Sequence, residues 1–376
     1  MTLRVLHLVG SAVNDFYCDL SRLYARDCLE STADPARYEF LIAYVTPDLR
    51  WRFPHDLSGD AISAALPMSL ADAIPRLIAL DVDLMVPQMF CVPGMTSYRA
   101  LFELLRIPYL GNTSDVMALA SNKAKTKAIV AAAGVTVPDG QLLRPGEPAT
   151  VIPPAVVKPA DADNSLGVTL VRRRADYGVA LDAAFAHSDQ AVVETFIELG
   201  REVRCGIVVR DDQLVCLPLE EYRIDRTTAI RAHDDKVRWN DDGELEFVAK
   251  NSTRSWTVDS SDPLTQRVWE QARMCHEALG CRHYSLFDFR IDPNGQPWFL
   301  EAGLYCSFAR SSVIATMARR AGTEIDELFR LAIDEVLLPS GPTLASDRGH
   351  PPRGLLLPLD GRSVRSRRND SEEEYT

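Results

Sequence analysis

A pair of carboxylates, a lysine before a polar turn and two further acids are the residues through which this sequence could do chemistry. Asp288 and Glu301 sit in the stretch CRHYSLFDFRIDPNGQPWFLEAG, where alternating apolar runs, Tyr284 to Ile291 and Pro297 to Ala302, flank Asp292, Pro293, Asn294 and Gly295. That composition predicts a tight turn and a β-hairpin. Pairing of the two strands would then bring both carboxylates within reach of one small cation. Oxygen ligands of this kind suit Mg²⁺ (or Mn²⁺), a hard ion that usually keeps several waters while bridging phosphates. The competing reading is a turn that happens to carry two unrelated acids.

Lys158 ends an apolar run and precedes the polar turn of VVKPADADNSLGVTLV, which contains Asn164 and Ser165. A lysine at a strand end, beside a hairpin whose backbone N–H groups can fold over a ligand, suits a phosphate; a surface hairpin with an exposed lysine has the same pattern. In AVVETFIELGREVRCGIVV, the segment Glu194 to Ile197 offers a backbone edge for a purine, and Glu194 and Glu202 offer acids for ribose hydroxyls. The same residues also read simply as two strands.

The elements that must position these groups begin with a strand, Leu3 to Val9, a Gly10 turn and a helix from Phe16 to Leu29. Strands at Tyr38 to Thr46 and Asp83 to Pro87, with helices at Ile74 to Leu80 and Ser97 to Leu105 and a short strand closing at Gly111, complete an alternation that predicts a parallel sheet with helices on its faces. The Gly10 to Asn14 turn is a candidate ligand site or a plain connection. A helix from Ser121 to Gly134 follows, then helices at Tyr177 to Ala186, Leu264 to Leu279 and Ile325 to Val336. Arg223 to Arg238 has mixed charge and no clear period, as lids do. Residues 341–376 are rich in Pro, Gly, Ser and charge and are expected to be disordered.

With 376 residues and a net charge of −12, the chain is large enough for two or three sub-domains, and nucleic-acid binding is not its expected role. The beginning shows no long apolar stretch and nothing nears the ~20 residues that span a bilayer, so a cytoplasmic location without membrane attachment is expected. Eight cysteines without a CxxC pair are expected to be reduced and structural.

In this order the segments resemble the ATP-grasp ligases, in the group of D-alanine–D-alanine ligase, over roughly residues 3 to 336. FELLRIPYLGN is similar to the end of that family's first domain; SNKAKTK and PAVVKPADADNSLGV match its two phosphate lysines at Lys123 and Lys158. VVETFIELGRE matches the adenine and ribose hinge through Glu194, Phe196, Ile197 and Glu202, and GCRHYSLFDFRID with WFLEAG matches the metal strands. The resemblance implies an α/β ATP-grasp fold: an N-terminal parallel-sheet domain over 1–115, a central subdomain over 116–192 and a C-terminal subdomain with the metal site over 193–340. It implies ATP with Mg²⁺ or Mn²⁺ and small-molecule substrates, with a homodimer left open.

The departures narrow the reading. The ligases carry arginine two residues before the metal-binding aspartate and asparagine two after the glutamate, where this chain has Leu286 and Gly303, and their HGxxGEDG loop is replaced by QMFCVPGM. HLVGSAVNDFY, YVTPDLRWRFP, PQMFCVPGMTSYRALF, ADNSLGV and FLEAGLYCSFA look like the D-alanine–D-alanine-ligase-like enzymes of mycosporine-like amino acid biosynthesis. That group implies ATP-dependent joining of serine, threonine, glycine or a similar amino acid to mycosporine-glycine, through a phosphorylated ring oxygen, with Gln88, Tyr305, Ser307 and Arg310 as candidate substrate contacts. A conventional dipeptide ligase, with Arg290 or Arg310 replacing the missing arginine, is the alternative; an inactive nucleotide-binding regulator is a third.

Overall fold

The computed structural model describes residues 2–162, 166–224, 237–239, 245–247 and 255–338. Asn164 and Ser165, most of the expected lid and the expected disordered tail lie outside the described residues.

Continuous buried runs build the first sheet from β1 (Leu3–Gly10), β2 (Tyr38–Val45), β3 (Trp51–Arg52) and β4 (Leu84–Pro87), in the order β3-β2-β1-β4. β1 runs parallel to both β2 and β4, and β3 pairs antiparallel with β2. β1 ends at Gly10, whose φ is 101° and where a Cβ would fall 2.0 Å from the Val45 carbonyl oxygen, so only glycine fits. The helix Asp15–Ser31 then starts from Asn14, whose side chain accepts from the Tyr17 amide at 3.0 Å. The short strand expected to close at Gly111 reduces to a single parallel bridge, Met85 to Tyr109.

The second sheet, β5 (Gly140–Leu143), β6 (Ala155–Pro159), β7 (Thr169–Val171) and β8 (Ala191–Thr195), is ordered β5-β8-β6-β7 and is antiparallel throughout. The expected boundary after residue 192 falls inside β8, which belongs to this sheet along its whole length.

The third sheet is formed by β9 (Arg201–Arg210), β10 (Gln213–Cys216) and β11 (Glu220–Tyr222), by β14 (Ser255–Thr257), and by the hairpin β15 (Tyr284–Ile291) and β16 (Pro297–Ala302); residues 237–239 and 245–247 pair separately as β12 and β13. Its order is β14-β11-β9-β15-β16, with β10 on β9. Alternation here is strict. Val203, Cys205 and Ile207 of β9 and Phe287, Phe289 and Ile291 of β15 bury one face with Phe299 against Leu264, Val268, Ala272 and Cys275 of the helix Pro263–Ala278. The other face therefore receives Glu202, Arg204, Leu286, Asp288 and Arg290. All eight cysteines are free thiols and six are buried, as expected of structural cysteines. Among the described residues no helix is long and apolar enough to cross a membrane.

Candidate active site

The expected hairpin forms with the expected bounds, and Asp288 pairs directly with Glu301 across it, next to a bulge between Asp288 and Phe289. β9 extends the same rung: Arg204 lies opposite Asp288, and Glu220 of β11 lies opposite Arg204. Glu220, Arg204, Asp288 and Glu301 thus form one charged row across four strands, because directly opposed residues share a face. The Arg204 guanidinium grips both Asp288 oxygens, with Nη2 2.6 Å from Oδ2 and Nε donating to Oδ1. Burial opposes the Arg204 charge, but Asp288, Tyr222 and Glu220 more than offset this and hold its proton well above the ordinary arginine range.

The second sheet supplies the cations. Lys158 and Glu194 stand diagonally on one face of β6 and β8, and Lys158 Nζ donates to Glu194 Oε1 at 2.6 Å. The other oxygen accepts from Lys127 Nζ, one helical turn after Lys123 in the helix Lys123–Ala132. All three side chains are buried. Burial raises the Glu194 carboxyl, yet the two ammonium charges dominate and bring it down to about 2. Burial lowers Lys127 to about 7, against the pull of Glu194. Burial also opposes the Lys158 charge, but Glu194 and then Glu301 raise it, so Lys158 is within electrostatic reach of the carboxylate row. Lys123 anchors the same corner: its amide donates to Ala160 O at 2.7 Å and its Nζ donates to Ala162 O.

The hinge residues also converge. Phe196 donates its amide to Pro154 O at 3.0 Å. Arg290 lies over the Phe196 ring at 5.4 Å, donates to Ile197 O at 3.3 Å and to Glu202 Oε2 at 2.7 Å. Arg290, expected as one substitute for the missing arginine, therefore braces the hinge. Arg310, the other, is a half-exposed side chain whose Nε is 3.7 Å from Asp27 and whose amide donates to Asp27 at 2.6 Å. Gln88 and Ser307 meet, but through a joint: fully buried Gln88 donates Nε2 to the Ser307 carbonyl at 3.3 Å, and buried Ser307 accepts from the Ala309 amide. Tyr305 packs edge-on to Phe90 at 5.8 Å and is 37% exposed.

Leu286 and Gly303 adjoin each other, Gly303 N donating to Leu286 O at 2.8 Å. A Cβ at 303 would meet Leu286 at an ordinary 3.8 Å, so crowding does not force glycine there. Lys127 and Arg204 were missed from the sequence, although each carried a signal: Lys127 stands four residues after Lys123 on a helix, and Arg204 shares strand parity with Glu202.

Among the described residues no group of three or more His, Cys, Asp and Glu is arranged to hold a metal. Two carboxylates nevertheless fit Mg²⁺, which commonly takes one or two of them with substrate phosphates and water. The pair Asp288 and Glu301, with Lys158 in reach of it, also fits a nucleotide phosphate chain held from the second sheet.

Three sheets, with buried Lys158 on the second and the paired carboxylates Asp288 and Glu301 on the third, make the arrangement expected of an ATP-grasp ligase. The family model described as D-ala D-ala ligase C-terminus matches residues 145–334. A D-alanine–D-alanine ligase of Trichlorobacter lovleyi is 30% identical over 65% of this chain and 74% of its own length; one of Geobacter sulfurreducens is 29% identical over 72% and 85%. The solved VanG D-Ala:D-Ser ligase of Enterococcus faecalis has the same fold, with a TM-score of 0.70, 19% identity and coverage of 90% of this chain and 100% of that one. The Bacillus anthracis D-alanine–D-alanine ligase complexed with ATP gives a TM-score of 0.66 at 20% identity, over 89% and 98%. The chain belongs to the D-alanine–D-alanine ligase family. It is an ADP-forming ligase that makes C–N bonds, and its cofactors are ATP and Mg²⁺.

Proposed function

We propose that this chain activates a small carboxylate with ATP and joins it to the amine of a second small amino acid, as a dipeptide-type ligase. Both curated relatives described above are named D-alanine–D-alanine ligases. The observation that carries the reading is Arg204: although Leu286 has no charge, a buried guanidinium stands one rung along, on Asp288. The charged row thus keeps a cation beside the carboxylate pair, whether the guanidinium rests on Asp288 or turns toward Glu220 on the neighbouring strand. Losing an oxyanion donor typically costs about 3 kcal/mol of transition-state stabilisation. Lys123 and Lys158 would orient the phosphates, Glu194 and Lys127 hold Lys158 in place, and the Arg290 brace sets the hinge for the base. Mg²⁺, held by Asp288 and Glu301, would neutralise phosphate charge.

A second reading, joining serine, threonine or glycine to mycosporine-glycine, is favoured by the pair Leu286 and Gly303. It puts an apolar side chain and a bare backbone where the dipeptide ligases have arginine and asparagine, and a conjugated ring spreads developing charge without a local donor. One ATP-consumption screen separates the two: D-alanine or mycosporine-glycine as acceptor, each with a panel of amino acids. Dipeptide with D-alanine and no ultraviolet change with mycosporine-glycine supports the first reading; a red-shifted product from mycosporine-glycine and no D-alanyl-D-alanine overturns it in favour of the second.

A further inference from the structure

Arg204 lies between two carboxylates of its own rung, Asp288 on β15 and Glu220 on β11. It engages the first with two hydrogen bonds while its guanidinium sits 5.6 Å from the Tyr222 ring. Glu220 is oriented on the other side, where Oε2 accepts from Tyr222 Oη at 2.5 Å and Oε1 from Ser255 Oγ at 3.1 Å. A guanidinium covering both oxygens of Asp288 and a divalent cation on the same carboxylate repel one another, so one must yield. A buried charge without a partner is strongly unfavourable, and a displaced Arg204 has to find another anion. Directly opposed positions lie about 5 Å apart at Cβ, so a change of side-chain rotamer is enough to cross to Glu220.

We propose that Arg204 is a two-position positioning residue: it holds Asp288 while the metal is absent and passes to Glu220 when a divalent cation takes Asp288. The proposal rests on the reading of Asp288 as a metal ligand. It gives the row a second function, keeping Asp288 oriented and neutralised in the empty enzyme and making metal entry conditional on breaking an ion pair. It also makes Glu220, which holds no metal, a determinant of metal affinity.

The test is direct binding of Mn²⁺ to the nucleotide-free protein, read from the electron paramagnetic resonance signal of the free ion. A competitor that occupies nine-tenths of the Asp288 carboxylates lowers apparent affinity about tenfold, so Arg204→Met should bind Mn²⁺ about tenfold more tightly than wild type. Arg204→Lys, a point charge without the two-pronged grip, should fall between them. Glu220→Gln, which removes the second anion but no metal ligand, should weaken Mn²⁺ binding severalfold while thermal melting confirms that it is folded. Unchanged or weaker binding in folded Arg204→Met, or indifference of binding to Glu220→Gln, would overturn the exchange. If wild-type binding persists in Asp288→Asn, the metal assignment fails and the proposal with it, which distinguishes that failure from failure of the exchange alone.

Discussion

Lys158 donates to Glu194 at 2.6 Å from the neighbouring strand, with both side chains buried. Together with Lys127 on the other carboxylate oxygen, this makes the corner proposed to hold phosphate a small ionic assembly. Lys158→Ala should therefore lose a charge-assisted phosphate contact of about 1.5 to 3 kcal/mol, seen as a 10- to 150-fold fall in kcat/KM for ATP. Full turnover at saturating substrate would remove Lys158 from the site.

The same assembly ties stability to acidity. The Glu194 carboxyl sits at about 2 in the folded protein against an ordinary 4.5. The unfolded chain therefore takes up the proton first, and the contribution of Glu194 is complete above about pH 4.5 and is lost as the pH falls toward 2. Urea unfolding followed from pH 6 to 3 should show a steeper loss in wild type than in Glu194→Gln, and parallel curves would contradict the assignment.

His7 provides an independent acid-sensitive site. It is fully buried, packs edge-on to Phe40 at 4.8 Å, and among the described residues neither ring nitrogen has a hydrogen-bond partner. Burial lowers it to about 3, so below the ordinary 6.5 the unfolded state is protonated first and stability falls with pH down to that value. Replacing it with leucine should stabilise the neutral protein by about 1 to 3 kcal/mol, by removing polar atoms left unpaired in the core. Calorimetric melting at pH 7 and pH 4 should show a larger gain at the lower pH; a loss at both would mean that the ring nitrogens are paired in solution.

Phe289 backs Asp288 from the core side of β15, fully buried and edge-on to Phe299 at 6.0 Å. Phe289→Ala should cost about 3 to 5 kcal/mol of stability. A drop below about 1 kcal/mol in chemical denaturation would show that this layer does not anchor the hairpin.

Glu301→Gln keeps the shape of the second carboxylate site and removes its charge. Mn²⁺ affinity should fall about tenfold or more with the melting temperature nearly unchanged, since the side chain is only partly buried. Retained affinity would restrict the metal shell to Asp288.

The hairpin was legible because everything that defines it is local: alternation, turn residues and acid spacing lie within 20-odd residues. The same holds for the helix Ser97–Leu105, whose bounds agree with expectation. Arg204 and Glu220 could not be placed, because their roles come from pairings between residues 84 and 16 positions apart, Arg204 with Asp288 and with Glu220, which no short window contains. Lys127 was overlooked for another reason: a helix periodicity visible in SNKAKTK was read only at its first lysine. Gln88, a candidate ligand contact by sequence position, is joined by its Nε2 to the Ser307 carbonyl, a pairing 219 positions apart that no short window contains.

β9 and β15 carry the Phe, Val and Ile of the core and the charged row at alternate residues of the same strands. A single-residue insertion or deletion within either strand would reverse that alternation, turning Arg204 or Asp288 toward the buried helix Pro263–Ala278 and an aromatic ring toward the ligand. Descent of this enzyme should accordingly proceed by substitution along these two strands, with length changes confined to the loops that join them, since no intermediate of altered length would keep either the fold or the chemistry.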